Sequence, residues 1–438
     1  MRKKITVMGL GLHGGAVGTI RWLYKQGARI TVTDLKKEGA LANSVAALDD
    51  LAGITFVLGE HREEDFINCD MVVRNPAVPK NSEYLRAAWK AGVSVEMDSS
   101  LFWQFCPTKD IIGVTGSKGK TTASRAIASL LAGGGKKIVL VGVDGVSPLA
   151  ELKNITPETT VVFELSSWRL EALDERKISP PMAVVTSLYR DHLNTYNSFE
   201  DYAETKKTII KYQSENDVAI LNHDDELLRE WKQDIKGKLR WYDVSTASDY
   251  EILGSWPEHM ARNVVPAILI AGMRGIEPSK IAAALKNITW PPHRLEEVRR
   301  AGGVTYVNDS AATIPEATIA AIKSWRKNNI VLILGGGDKN LEYRELIKVI
   351  GQSNIRAIIF LPGGATVRMF DEIRGRVGME LPMYKVEDMN EAVEQAADLA
   401  KRGDVVLLSP AATSFGLFKH EFDRGDKFKA HVDKLKSR

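Results

Sequence analysis

Ile111-Ile112-Gly113-Val114-Thr115-Gly116-Ser117-Lys118-Gly119-Lys120-Thr121-Thr122 reads as a buried strand, a glycine-rich turn and the first turn of a helix. Ala123, Ala126, Ile127, Leu130 and Leu131 then recur at helical spacing, and Gly133-Gly134-Gly135 stops the helix. Glycines let the backbone come close to a polyphosphate and turn N–H groups inward. The helix N-terminus adds partial positive charge, Lys120 adds a full one, and the Thr121 hydroxyl can hold a magnesium ion. The strict nucleotide-loop pattern is not met, because Val114 stands where its first glycine belongs. Strand, glycines, Lys-Thr and amphipathic helix nevertheless arrive together, as a phosphate loop requires.

Outward from this stretch the chain repeats the same alternation. Upstream, an apolar strand at 5–8 runs into Gly9-Leu10-Gly11-Leu12-His13-Gly14, then a helical pattern to about Gln26 and a strand from Arg29 ending near Asp34. This is a dinucleotide-type fingerprint with its acidic residue after the second strand. Alone it suits a nicotinamide or flavin enzyme, or the diphosphate of a nucleotide sugar. Met71-Val72-Val73 forms another strand, and Asn75 at its end is either a ligand contact or a turn-forming Asn before Pro76. A boundary falls near Cys106-Pro107-Thr108.

Downstream, strands are expected at 139–143, 160–167, 183–188 and 218–221. Glu164 lies near the end of the second of these, and behind a phosphate loop such a carboxylate is a plausible magnesium ligand. Pro291-Pro292-His293-Arg294 reads as a second linker. After it, strands at 304–307, 330–334, 355–360 and 405–408 each end in small or polar residues, a third open α/β sheet with one polar rim. The expected fold is therefore α/β with three domains: 1–107 Rossmann-like, 108–296 a central mononucleotide-binding domain, and 297–438 Rossmann-like.

The bulk properties agree. The 438 residues suit about three domains, with 44% hydrophobic and 26% charged residues. A net charge of +3 gives no reason to expect nucleic acid or an anionic membrane surface. No apolar run reaches the roughly 18 residues of a membrane helix, and the N-terminus enters a strand at once, unlike a signal peptide. Cys69 and Cys106 make neither a metal-ligand spacing nor a disulfide framework. A cytoplasmic monomer is expected.

The ordered motifs resemble the Mur ligases, ATP-dependent amide ligases of peptidoglycan assembly. They are Val-Thr-Gly-Ser-Lys-Gly-Lys-Thr-Thr (114–122), Glu-Leu-Ser-Ser (164–167), Asp-His (191–192) and Tyr-x-x-x-Lys (202–206). His-x-x-x-Asn (259–263), Pro-His-Arg (292–294), Asn-Asp-Ser (308–310) and Leu-Leu-Ser-Pro-Ala (407–411) follow. The opening at 9–14 and the ending at 414–425 are most similar to the member that joins glutamate to UDP-N-acetylmuramoyl-L-alanine.

The resemblance implies roles. Gly116, Ser117, Lys118, Gly119, Lys120, Thr121 and Thr122 would hold the ATP phosphates, with Thr121 and Glu164 on Mg²⁺ and His192 helping to hold a second Mg²⁺. Lys206 would be carbamylated. Lys120, Glu164, His192 and Lys206 would form the catalytic set. Asn263, Arg294 and Asp309 would take the adenosine end. Gly11, Leu12, His13, Asp34, Asn75 and Asp144 would surround the UDP-sugar, and Thr313, Lys339, Ser414 and Phe422 the amino acid. Three positions depart from the family: Ala311 replaces a Lys, Asp144 an Asn, and Phe422 sits one residue late. These leave open L-glutamate in place of D-glutamate. An NAD-dependent oxidoreductase leaves the second phosphate loop unexplained.

Overall fold

The computed structural model describes residues 3–11, 15–191, 195–288, 290–377 and 380–435. Among them the strands form three sheets. The first holds β1 (Lys4–Met8), β2 (Arg29–Asp34), β3 (Thr55–Leu58), β4 (Met71–Arg74) and β5 (Ser94–Glu96), in the parallel order β3-β2-β1-β4-β5. The second holds β6 (Ile111–Thr115), β7 (Ile138–Val141), β8 (Thr160–Glu164), β9 (Met182–Val185), β10 (Val218–Asn222) and β11 (Lys238–Tyr242). Its order is β11-β10-β9-β6-β8-β7, also parallel. The third holds β12 (Glu296–Ala301), β13 (Val304–Asn308), β14 (Ile330–Gly335), β15 (Ile355–Leu361), β16 (Met383–Lys385) and β17 (Val405–Leu408). Here β12-β13-β17-β14-β15-β16 is parallel except for the β12–β13 hairpin.

Parallel strands covered on both faces need continuous apolar runs. β17 is Val-Val-Leu-Leu and wholly buried, and every residue of β14 is buried too. Alternate residues of β14 divide between two cores: Leu332 and Leu334 pack with Tyr343, Leu346 and Phe360, while Val331 and Ile333 pack with Val393 and Phe428. Each such side chain taken fully out of water contributes roughly 1.5–3 kcal/mol.

Several strands are shorter than the apolar runs suggest, each for a local reason. β9 stops at Val185 because Thr186 and Ser187 turn their polar groups onto the phosphate loop. The Thr186 hydroxyl donates to the Thr115 carbonyl, and the Ser187 carbonyl accepts from Ser117 N–H at 2.7 Å. β7 stops at Val141 because Gly142 adopts φ +81°. β8 stops at Glu164 because Ser166 caps the helix Ser167–Glu175, its hydroxyl accepting from Arg169 N–H. The third sheet has two strands more than expected, β12 and β16, one at each edge.

By packing, the chain forms two compact units. One comprises Met1–Leu188, Glu200–Ile252 and Arg262–Ile288; the other comprises Tyr189–Phe199, Leu253–Ala261 and Thr289–Arg438. The first unit thus contains both the first and second sheets. The second draws two short segments out of the 108–296 stretch. Tyr189 packs on the core of the third sheet, Asp191 pairs with Lys339 at 3.2 Å, and Trp256 meets Trp290 edge-on.

Within the first unit the two sheets are joined by close backbone approach and buried charge. A Cβ at Gly15 would press on the Gly145 carbonyl, and one at Gly18 on the Ser147 side chain. The Thr19 and Ser147 hydroxyls bond at 2.9 Å. Arg74 donates to Glu171 at 2.9 Å, with side-chain exposures of 1% and 7%. Arg74→Met would remove the Arg74 cation from beside the buried Glu171 carboxylate. A loss of about 3–5 kcal/mol is expected, read from denaturant midpoints; an unchanged midpoint would show that the pair contributes nothing. No helix among the described residues is long and apolar enough to cross a membrane.

Candidate active site

β6 lies at the middle of its sheet, with β8 on one side and β9 on the other. The chain leaves β6 toward β7 and β8 and later crosses to β9 and β10, so the reversal of direction opens a crevice at the carboxyl end of β6. The phosphate loop sits there. Gly116 (φ +145°) and Gly119 (φ +90°) hold the turn. A Cβ on Gly116 would collide with the Thr186 hydroxyl, and one on Gly119 with the Asn263 side chain. Only glycine satisfies both the angle and the space at these two positions. Gly119 is also the N-cap of the helix Lys120–Gly133, so the first-turn N–H groups remain directed at the loop.

The loop is braced from four sides. Lys118 N–H donates to Ser187 Oγ at 3.3 Å, and Thr115 Oγ1 donates to the Leu165 carbonyl at 2.7 Å. Tyr202 Oη donates to Ser117 Oγ at 3.1 Å, and Asn263 backs Gly119. Two lysines converge on one carbonyl: Lys120 Nζ reaches Gly116 O at 2.9 Å and Lys206 Nζ reaches it at 3.0 Å. Lys120 Nζ also donates to Ser117 O at 3.2 Å. Lys206 is buried at 1% exposure, with its ammonium 4.8 Å from the Tyr202 ring centre. Two cationic heads beside the N-terminus of the helix Lys120–Gly133 make an anion cradle.

Glu164 enters the same crevice from β8, in register with Val114 of β6. Its Oε2 is buried and has no hydrogen-bond partner among the described residues. A buried carboxylate oxygen left open is costly unless a cation or donor fills the gap. With a hydroxyl at Thr121 and phosphate oxygens, it suits the all-oxygen shell of Mg²⁺. His192, Leu12 and His13 lie outside the described residues.

In the first sheet, Asp34 is buried and fully used. Its Oδ2 accepts from Leu10 N–H at 2.9 Å and Gly11 N–H at 3.1 Å, and its Oδ1 from Lys36 N–H at 2.9 Å. It holds the glycine turn in shape; a dinucleotide enzyme would spend it on a ribose. Asn75 acts as a turn residue, its Oδ1 accepting from Ala77 N–H at 3.1 Å, while its amide lies against Gly9 and Gly11. Asp144 adopts φ +54° and accepts from Arg125.

The second unit carries its own set. Asp309 accepts from Leu295 N–H at 3.2 Å and from Ser409 Oγ at 2.8 Å. Arg294 stands between two left-handed residues, His293 (φ +62°) and Leu295 (φ +48°). The half-buried Arg294 guanidinium has no hydrogen bond or ion pair among the described residues. The Ser414 hydroxyl is buried and likewise without a partner. Thr313 is buried, Lys339 pairs with Asp191, and Ala311 is buried. Phe422 is 42% exposed and stacks obliquely on His293. The buried Arg424, part of the 414–425 ending but assigned no role from the sequence, donates to the Ser310 hydroxyl and carbonyl and to the Ala412 carbonyl. Burial lowers its pKa to about 10. The sequence shows this cation within the 414–425 ending but not its partners, which lie 114 and 12 residues earlier.

The fold and the loop define an α/β nucleotide-phosphate-binding protein with two further sheets. The chain matches the Mur ligase MurD-like N-terminal domain over residues 3–96, the Mur ligase middle domain over 114–260, and the Mur ligase glutamate ligase domain over 293–412. It is 38% identical to a UDP-N-acetylmuramoylalanine–D-glutamate ligase of Roseiflexus, with 98% of each chain covered. Among solved structures it resembles a UDP-N-acetylmuramate–alanine ligase of Thermotoga maritima, with TM-score 0.63 and 16% identity over 99% of this chain and 100% of that one. A MurF ligase of the same organism, solved in complex with ADP, gives TM-score 0.56 and 19% identity over 85% and 92%. The chain belongs to the Mur ligase family.

Proposed function

We propose that the protein is an ATP-dependent ligase that joins D-glutamate to UDP-N-acetylmuramoyl-L-alanine, an intracellular step of peptidoglycan precursor synthesis. The observation that carries this is the double-lysine phosphate loop with the open Glu164 oxygen beside it, in a chain similar to such a ligase from end to end. Residues 1–107 would bind the UDP-sugar, 108–296 the ATP, and 297–438 the amino acid and part of the ATP. The protein would act as a monomer.

A carboxylate is a poor electrophile, so it must first be activated. The alanine carboxylate attacks the γ-phosphorus of ATP, an O–P bond forms as the bond to ADP breaks, and an acyl phosphate results. The neutral amine of glutamate then attacks the carbonyl carbon, losing a proton as phosphate leaves. Gly116 to Thr122 would hold the phosphates, and Lys120 would stabilise charge moving onto the leaving oxygen. Thr121 and Glu164 would hold one Mg²⁺ and His192 would help hold a second, and these ions would neutralise charge on the phosphates. Asn263, Arg294 and Asp309 would take the adenosine end. The open Arg294 guanidinium is suited to that role, while Asp309 would reach it with oxygens already shared. Gly11, Leu12, His13, Asp34, Asn75 and Asp144 would frame the UDP-sugar, Asp34 and Asn75 by shaping the turn. Thr313, Lys339, Ser414 and Phe422 would face glutamate, the Ser414 hydroxyl finding its missing partner in a carboxylate.

Phosphate release with ATP, Mg²⁺, UDP-N-acetylmuramoyl-L-alanine and either enantiomer of glutamate tests the proposal. D-Glutamate is expected to be turned over with kcat/KM at least about tenfold above L-glutamate, a difference of about 1.4 kcal/mol. No release with either would reject the activity. A preference for L would favour the second reading, for which the buried Ala311 and the displaced Phe422 are the reasons.

A further inference from the structure

One guanidinium ties the first sheet to the strand end that carries Glu164. Arg169 lies in the first turn of the helix Ser167–Glu175. Its Nε and Nη2 grip Asp98 at 3.3 and 2.9 Å, and Asp98 opens the helix that follows β5. Its Nη1 donates to the Gly142 carbonyl at 2.6 Å and approaches the Glu164 carbonyl at 3.5 Å. Asp98 and Arg169 are both buried, and Ser99 Oγ adds a bond to the Arg169 carbonyl at 3.1 Å.

The surroundings leave this side chain one position. Gly142 has φ +81°, and a Cβ there would collide with the Glu164 carbonyl and crowd Arg169 Nη1. Two residues along the same helix, Glu171 accepts from Arg74, the last residue of β4 and the neighbour of Asn75. Arg74 also donates to the Val78 carbonyl at 2.9 Å, closing the turn that contains Asn75. The loop after Gly142 reaches back to the helix Gly15–Lys25, which follows β1, through Gly145 against Gly15 and Ser147 against Thr19. The Asn75 turn, through Arg74 and Glu171, and the Glu164 strand end, through Arg169, are therefore bonded to one helix.

Resting on the function proposed above, we propose that Arg169, held by Asp98, is a positioning residue that links UDP-sugar binding at the first sheet to Mg²⁺–nucleotide binding beside Glu164. It touches neither ligand. Ordering of the Asn75 and Asp98 region by the sugar nucleotide would fix Arg169, and through it the Gly142 and Glu164 backbone. Linkage makes the effect reciprocal, so each ligand tightens the other by the same factor.

The test is calorimetric titration of the full-length protein with a non-hydrolysable ATP analogue and Mg²⁺, with and without saturating UDP-N-acetylmuramoyl-L-alanine. The wild type is expected to show at least about fivefold tightening, within the usual range of such couplings. The paired variant Asp98→Asn with Arg169→Gln removes both charges together, so neither is left buried alone. It is expected to bind each ligand separately within about threefold of wild type, with its coupling factor reduced to within about twofold of unity. A merely structural role would move the melting temperature and leave that factor alone. Equal coupling in the paired variant, or none in the wild type, overturns the inference. If the paired variant does not fold, Arg169→Lys serves, since a point charge can pair with Asp98 without spanning to Gly142; wild-type coupling in it is equally fatal. Wild-type turnover with unaltered coupling in the variants leaves the ligase assignment standing and removes the linkage alone. Absence of UDP-sugar binding removes both.

Discussion

Lys120→Ala is expected to lower kcat for phosphate release by at least about 10²–10³-fold, the usual cost of deleting one preorganised charge-stabilising group. In the structure its ammonium is parked on the Gly116 and Ser117 carbonyls. A bound triphosphate would take over those bonds, and charge would build on the bridging oxygen nearest the ammonium only as the γ-phosphate departs. The loss should therefore fall on kcat more than on KM for glutamate. The melting temperature should hardly move, because the side chain is only partly buried and its replacement leaves a good helix residue at the first position. Lys120→Arg should fail to restore the rate, since the wider planar fork does not fit where a compact head has been. Turnover of Lys120→Ala within about threefold of wild type, against the loss just set out, would show that the chemistry happens elsewhere.

Lys206→Ala is expected to cost about 10²-fold or more in kcat, on the same argument of fixed charge beside the moving phosphate. Lys206 is buried and shares the Gly116 carbonyl with a second ammonium. Two like charges so close disfavour each other, whereas addition of CO2 converts one amine into an anion. In that step the nitrogen lone pair forms an N–C bond and a proton is released. The resulting carbamate would offer oxygens to the magnesium and γ-phosphate region. Because truncation also opens a cavity, Lys206→Met, which keeps the apolar stem, should be just as inactive while regaining stability. Protein equilibrated with ¹³CO2 should show a carbamate carbon resonance that disappears in Lys206→Met. Full activity in Lys206→Met would refute the role; absence of the resonance from active wild type would refute the modification.

Legibility followed the distance between interacting residues. The phosphate loop could be read because strand, glycines, lysine and helix are contiguous, so the parts that bind together are written together. Glu164 and Asn263 could be proposed from motif order, but their partners could not. Nothing near Arg169 announces Asp98, 71 residues earlier, and nothing near Arg74 announces Glu171, 97 residues later. Asp34 was legible as the acid after the second strand, yet whether it faces a ribose or the turn amides depends on the loop's three-dimensional path. β12 was missed because Glu-Glu-Val-Arg-Arg-Ala is an edge strand whose charged residues read as a solvated face. The Gly302-Gly303 pair, both at positive φ, was the available signal for its hairpin. The residues past β9 looked like more strand because side-chain type alone does not show that a loop will claim their polar groups.

The backbone's path between the two packing units has a practical corollary. The polypeptide passes from one to the other at 188/189, 199/200, 252/253, 261/262 and 288/289. A single protease nick near 289 would therefore not liberate an intact C-terminal fragment, since the pieces bearing Tyr189, Asp191 and Trp256 would stay covalently attached to the opposite half. Excising residues 297–438 as a free-standing polypeptide would strip Lys339 of its counter-ion and uncover apolar surface that Tyr189 shields, so dissection of this ligase into soluble pieces is better attempted by cutting outside those five crossings.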